Sequence, residues 1–188
     1  MRSRHGQLGE STRRATRRAY RRSSRNLPHR VVLMRRVLIT GMSGTGKSTV
    51  IQALRECGCD AIDLDEGYVV QQDDGTQLWN ELLVGWLLDA DRGEVLFVAG
   101  CEENMIDFLP RFDSVILLSA PTEVILDRLE RRTNNDFGKS EEQRAKILWD
   151  IENVMPLLRR IADHELVTTS PVDEIVEAIL WLSDGPVA

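Results

Sequence analysis

Gly41-Met42-Ser43-Gly44-Thr45-Gly46-Lys47-Ser48 is the stretch on which the reading of this 188-residue chain turns. Glycines at 41, 44 and 46 allow a tight backbone turn and let successive amide hydrogens point inward, as phosphate oxygens require. A helix beginning at the end of the stretch adds free amides and the positive end of its dipole. In the pattern Gly-x-x-x-x-Gly-Lys-Ser, Lys47 reaches the β- and γ-phosphates of a nucleoside triphosphate and the Ser48 hydroxyl coordinates Mg²⁺. Residues Gly41 to Ser48, with Thr49 in the first helical turn, are therefore expected to bind a nucleoside triphosphate with Mg²⁺.

The flanks carry the context this reading needs. Arg36-Val37-Leu38-Ile39-Thr40 is a short apolar run ending at a glycine, as a buried strand of a parallel sheet does. Residues 49–56 have helical spacing and stop at Gly58, a C-terminal cap. Further strands are predicted over 61–65, 95–99, 114–119 and 166–169. Helices are predicted over 77–90, with Leu78, Leu82, Trp86 and Leu87 or Leu88 along one face, then after Pro121, from 141 and over 171–182. Ser140 with Gln143 makes a capping box, and Pro156 breaks the helix it interrupts. Alternation of strands with helices predicts a three-layer α/β/α domain on a mainly parallel five-stranded sheet. Trp79, Trp86, Trp149 and Trp181 are expected in the core, with Trp79 also a candidate for contact with a ligand.

Charge divides the chain in two. Residues 1–36 hold twelve arginines and one acid, a net +11; the remainder holds twelve basic and 29 acidic residues, a net −17, which gives the total of −6. An Arg/Ser-rich arm over 1–33 cannot bury enough surface to offset its ordering entropy and is expected to be disordered. It is compatible with nucleic-acid binding, with an organelle transit peptide or with an anionic lipid surface. Equally, Met34 is a natural start for the compact domain over 34–188, and nucleic acid is a partner only if the arm is real. With 42% hydrophobic residues the domain has a full core. No apolar run approaches the roughly 20 residues of a membrane helix. Three cysteines without zinc-like spacing or a secretory segment suit reduced thiols and a cytoplasmic location. A monomer or a homodimer fits equally.

Asp63-Leu64-Asp65-Glu66 follows the second strand at the carboxyl edge, where open α/β sheets bind ligands. Carboxylates there hold Mg²⁺ or accept a proton from a substrate hydroxyl, unless they form only a polar loop. Residues 128–144 have the composition of a mobile lid: Arg128, Arg131 and Arg132, then Thr133-Asn134-Asn135-Asp136-Phe137-Gly138-Lys139, then Arg144. Cations on both sides of such a loop would close over a triphosphate and keep water out. The competing reading is an exposed charged helix whose arginines pair with Asp127 and Glu130. No Asn-Lys-x-Asp guanine motif occurs, which disfavours a GTP switch.

Together these residues resemble the small P-loop kinases, the group within the P-loop NTPase superfamily that contains shikimate kinase, gluconate kinase and the nucleoside monophosphate kinases. The resemblance spans residues 36–184. It implies that Asp63 organises the magnesium shell and that Asp65 orients or deprotonates the acceptor. It implies that lid arginines, Arg128 and Arg132 foremost, neutralise developing charge beside Lys47. It also implies that the loop with Ser170 and Pro171 borders adenine. Gly75-Thr76-Gln77-Leu78-Trp79-Asn80 departs from the group's pattern, with Asn where shikimate kinases carry the Arg that grips a carboxylate. Gly100-Cys101-Glu102-Glu103-Asn104 replaces their three-glycine turn. Shikimate is thus not the expected acceptor, and acids at 102–103 would repel an anionic one. The function expected is transfer of the ATP γ-phosphoryl group to a small hydroxyl-bearing metabolite, nucleoside or nucleotide. Two alternatives stay open: a nucleoside monophosphate kinase, and a nucleotide-gated binding protein with slow ATPase activity, possibly RNA-linked.

Overall fold

Val37, Leu38, Ile39 and Thr40 are all fully enclosed, which only a strand covered on both faces can achieve. In a computed structural model of the chain they lie in β1 (Arg35–Thr40) at the centre of a five-stranded sheet. The structure describes residues 34–133, 138 and 140–184. The expected basic arm over 1–33, together with lid residues Asn134 to Phe137 and Lys139, lies outside them.

The other strands of this sheet are β2 (Asp60–Asp63), β5 (Val95–Ala99), β6 (Ser114–Ser119) and β7 (His164–Val167), in the order β2-β5-β1-β6-β7. Every neighbouring pair is parallel. Alternation along the strands sends successive side chains to opposite faces and builds two cores. Val37, Ile39, Phe97 and Ile116 pack under α1 (Lys47–Glu56) and α7 (Val172–Asp184), through Val50, Leu54, Val176 and Ile179. Leu38, Leu96, Val98 and Leu117 face α2 (Glu81–Asp89), the short α3 (Met105–Phe108) and α6 (Met155–Ile161). A third cluster joins α4 (Thr122–Arg131) to α5 (Glu141–Asn153) through Ile125, Leu129 and Ile147. The expected three-layer domain is therefore present.

The helix ends follow the sequence signals closely. Gly58, at φ 86°, and Cys59 donate to Arg55 O and Leu54 O, closing α1 with paired bonds to its last turn. Ser140 and Gln143 form the reciprocal capping box on α5, and α5 stops before Pro156, which opens α6.

Three expectations need correction. Residues 77–79 are strand, not helix: β3 (Val69–Gln71) and β4 (Gln77–Trp79) form an antiparallel hairpin. Its turn is set by Gly75 at φ 87° and by Asp74, whose carboxylate accepts the Thr76 N–H at 2.9 Å. Asn80 then caps α2 by accepting the Leu83 N–H at 3.1 Å, so the helix starts four residues later and turns a different face inward. Val84, Leu87 and Leu88 are buried, while Leu82 and Trp86 are 70% and 68% exposed. Trp149 and Trp181 are also exposed, and of the four tryptophans only Trp79 is in the core. Finally, β2 ends at Asp63 and the last strand runs over 164–167, two residues earlier than expected.

Candidate active site

Strand β1 sits between β5 and β6, so the chain leaving its carboxyl end enters a cleft walled by the loops after the neighbouring strands. Gly41 makes the exit. Its φ is 150°, and a Cβ there would lie 2.4 Å from Leu118 O and 2.7 Å from Thr45 Oγ1. No side chain fits. The loop is braced from within: Thr45 is fully buried, and both its amide and its hydroxyl donate to Met42 O. Gly46, at φ 99°, then starts α1. Lys47 lies back across the loop, with Nζ donating to Gly41 O at 2.7 Å.

A pocket of about 440 Å³ opens over this loop, a size suited to a cofactor-like ligand. Ser43, Gly44, Gly46, Lys47, Ser48 and Thr49 form its floor. Asp65, Arg128, Arg132, Thr168 and Ser170 form its walls. Six expected loop residues therefore share one cavity with Asp65, both expected arginines and Ser170. Gly41, Met42 and Thr45 shape the loop from below, and Pro171 caps α7 by accepting from Glu174 N and Ile175 N.

The arginines of the 128–144 region divide into two pairs. Arg131 and Arg144 form surface ion pairs with Asp127 and Glu130, at 2.8 and 3.0 Å, which is the charged-helix arrangement. Arg128 and Arg132 line the pocket. Arg128 also donates to Gly44 O, to Thr168 Oγ1 and to Thr168 O, bridging the glycine loop and the loop after β7.

Asp63 and Asp65 face different surroundings. Asp63 is 2% exposed, and its Oδ1 accepts the Asp65 N–H at 3.2 Å, which shapes the loop that presents Asp65. Asp65 is open to solvent at the pocket edge yet enclosed on its inner side. Desolvation raises its pKa above the ordinary carboxylate value, Lys47 opposes that shift, and Asp63 and Glu66 add to it.

A family model described as AAA domain (AAA_18) matches residues 37–148, from β1 into α5. The chain belongs to this AAA domain family. The adenylate kinase isoenzyme 6 homolog of Caenorhabditis elegans is 30% identical over 167 residues, covering 78% of this chain and 88% of that protein. The putative adenylate kinase of Archaeoglobus fulgidus is 27% identical, covering 76% of this chain and 79% of the relative. Among solved structures, shikimate kinase from Acinetobacter baumannii in complex with shikimate superposes with a TM-score of 0.57 at 20% identity, over 79% of this chain and 92% of its own. The domain is thus a P-loop nucleotide-binding protein with the fold of the small kinases.

Sequence reasoning passed over two residues of this AAA domain site. Glu102, read only as a repulsive charge, follows β5, the strand between β1 and β2. It lies within electrostatic reach of both Asp65 and Lys47. Burial, reinforced by Asp65 and Glu103 and opposed by Lys47 and Lys146, raises its pKa to about 7. Thr168, expected inside a strand, is instead a buried hydroxyl beside the glycine loop. Neither stands in a local motif, so strand order alone could have found them. Arg111, at the end of the turn that follows α3, is held by Asp89 at 2.5 Å. Trp79 packs against Phe108 with ring centroids 5.5 Å apart, and Asn104 bonds both its amide and its carbonyl. It is part of the core that supports the site.

Proposed function

We propose that this chain is an ATP-dependent phosphotransferase that moves the γ-phosphoryl group to a small hydroxyl-bearing acceptor. The observation that carries the proposal is that Lys47, Ser48 and Asp65 line one pocket at the carboxyl edge of a parallel sheet. Loop amides and Lys47 would bind the triphosphate, with Ser170 and Pro171 beside the base. Arg128 and Arg132 would lie along the phosphate path and offset charge that develops in transfer.

The donor set suits Mg²⁺. Among the described residues no group of three or more His, Cys, Asp or Glu side chains is arranged to hold a metal ion. A hydroxyl and a carboxylate sharing an ion with phosphates and water is the arrangement Mg²⁺ favours. Ser48, which lines the pocket, would hold it, with Asp63, 2% exposed and outside that lining, reaching it through water, and it would supply charge neutralisation on the β- and γ-phosphates. Asp65 would accept the hydrogen of the acceptor hydroxyl, orienting its oxygen at the γ-phosphorus and taking the proton as the new P–O bond forms, while the bond from the γ-phosphorus to the β–γ bridging oxygen breaks and ADP leaves.

The acceptor side presents the carboxyls of Asp65 and Glu102, which disfavour a further negative charge, and Arg111 is occupied by Asp89. This supports a neutral hydroxyl compound such as a polyol or nucleoside. Adenylate kinase activity is the second reading, favoured by the names of two relatives. Among the described residues no helix is long and apolar enough to cross a bilayer.

Asp65→Asn separates the roles. Transfer is expected to fall by about a hundredfold or more, with Mg-ATP affinity within a few-fold of wild type by calorimetry. Equal losses in both would make Asp65 a metal or structural residue and refute its acceptor role.

A further inference from the structure

The loop after β7 reaches the glycine loop through one buried side chain. Thr168 is 6% exposed, and its Oγ1 lies 2.8 Å from Thr45 O and 3.2 Å from Ser119 O. A hydroxyl has one hydrogen, so it donates to one of these carbonyls at a time, and the nearer is Thr45 O. Arg128 Nη1 donates to the same Oγ1 at 2.9 Å and to Gly44 O at 3.3 Å, while its Nη2 donates to Thr168 O. Accepting from a charged guanidinium polarises the hydroxyl and strengthens the bond it donates.

Thr45 O belongs to the peptide that joins Thr45 to Gly46. A trans peptide is planar, so its carbonyl and its amide hydrogen point in opposite directions. Holding Thr45 O toward Thr168 therefore turns the Gly46 N–H away from it. Gly46 lines the pocket beside Lys47 and Ser48. Glycine places little restraint of its own on the orientation of that peptide, and the bonds that brace the loop from within reach Met42 O rather than the Thr45 carbonyl, which is held from across the fold by Thr168.

We propose that Thr168 is a positioning residue of the phosphate site: its hydroxyl, backed by Arg128, fixes the Thr45–Gly46 peptide so that the Gly46 amide hydrogen is presented to phosphate. Because Ser170 lines the same pocket two residues further on, the latch also ties the base-side loop to the phosphate-side loop. Arg128 then has a structural duty across the pocket besides any contact with phosphate.

This inference rests on the phosphate-binding part of the proposed function and not on the transfer step. Calorimetric binding of Mg-ATP and of inorganic tripolyphosphate to the full chain tests it. Thr168→Val should weaken both probes about tenfold, the equivalent of one lost hydrogen bond. Thr168→Ser, which keeps the hydroxyl, should stay within about twofold of wild type. Unchanged binding by Thr168→Val would overturn the proposal. So would a loss for ATP with tripolyphosphate unaffected, since Thr168 would then belong to the base side alone. Where Thr168→Val does not fold, as judged by its melting transition, Thr168→Ala removes the same hydroxyl and is read by the same criteria. Wild-type protein that bound neither probe would refute the phosphate site itself and the latch with it. That outcome is distinct from normal wild-type binding with an indifferent Thr168→Val.

Discussion

Glu102 sits where its own charge is unwelcome. Burial and the neighbouring Asp65 raise its pKa from 4.5 to about 7, although Lys47 pulls the other way. Perturbed carboxylates beside a pocket lysine are what a transfer site accumulates, because the geometry that serves chemistry seldom serves stability. The folded state holds the Glu102 proton more tightly than the unfolded chain does, so stability falls as pH rises from about 4.5 to about 7. Glu102→Gln removes that charge. The substituted protein should melt about 2 to 4 °C above wild type at pH 8 and level with it at pH 4. Paired thermal scans at the two pH values check this. A variant that melts below wild type at pH 8 would show the carboxylate to be stabilising. Cys59, whose thiol is pushed up to about 12 chiefly by burial, is by contrast an inert core group.

The elements show which signals a sequence carries openly. The glycine loop, the α1 cap and the Ser140 capping box are legible because each is complete within a few residues. The β3–β4 hairpin is not. Its turn signal, Asp74-Gly75, stands next to a run with apparent helical spacing at Leu78, Leu82 and Trp86, and that spacing masks it. Asn80 decides the matter by capping α2, which turns Leu88 inward at 0% exposure and Leu82 outward at 70%. Leu88→Ala should therefore cost about 2 to 5 kcal/mol, whereas Leu82→Lys should change stability by less than about 0.5 kcal/mol. Chemical denaturation of both variants tests this face of α2, and a loss at Leu82 as large as that at Leu88 would restore the helix face expected from sequence. Beneath α2, a Cβ at Gly100 would lie 2.7 Å from the Trp79 ring. This close approach is a reason for glycine at the end of β5 that no local pattern announces.

At the scale of the whole molecule, the site is a consequence of strand order. β1 emerges between β5 and β6 with β2 beyond, which gathers the glycine loop, Asp65, Glu102 and the loop after β7 at one edge. The class of fold is readable from alternation, and the donor half of the site from one motif with its flanks. The contacts that complete it are not, because Thr168 meets Thr45 across 123 residues of chain and Glu102 meets Asp65 only through the pairing of β2 with β5. The acceptor side likewise carries no local signature, and this is where the chain departs from the small kinases it resembles. Phosphoryl transfer itself is tested by following the label of γ-³²P-ATP in a panel of AMP, nucleosides and polyols. At least one hydroxyl acceptor should gain label faster than inorganic phosphate appears, and Lys47→Ala should abolish the transfer. Label released only as inorganic phosphate, at a rate no acceptor changes, would refute a phosphotransferase.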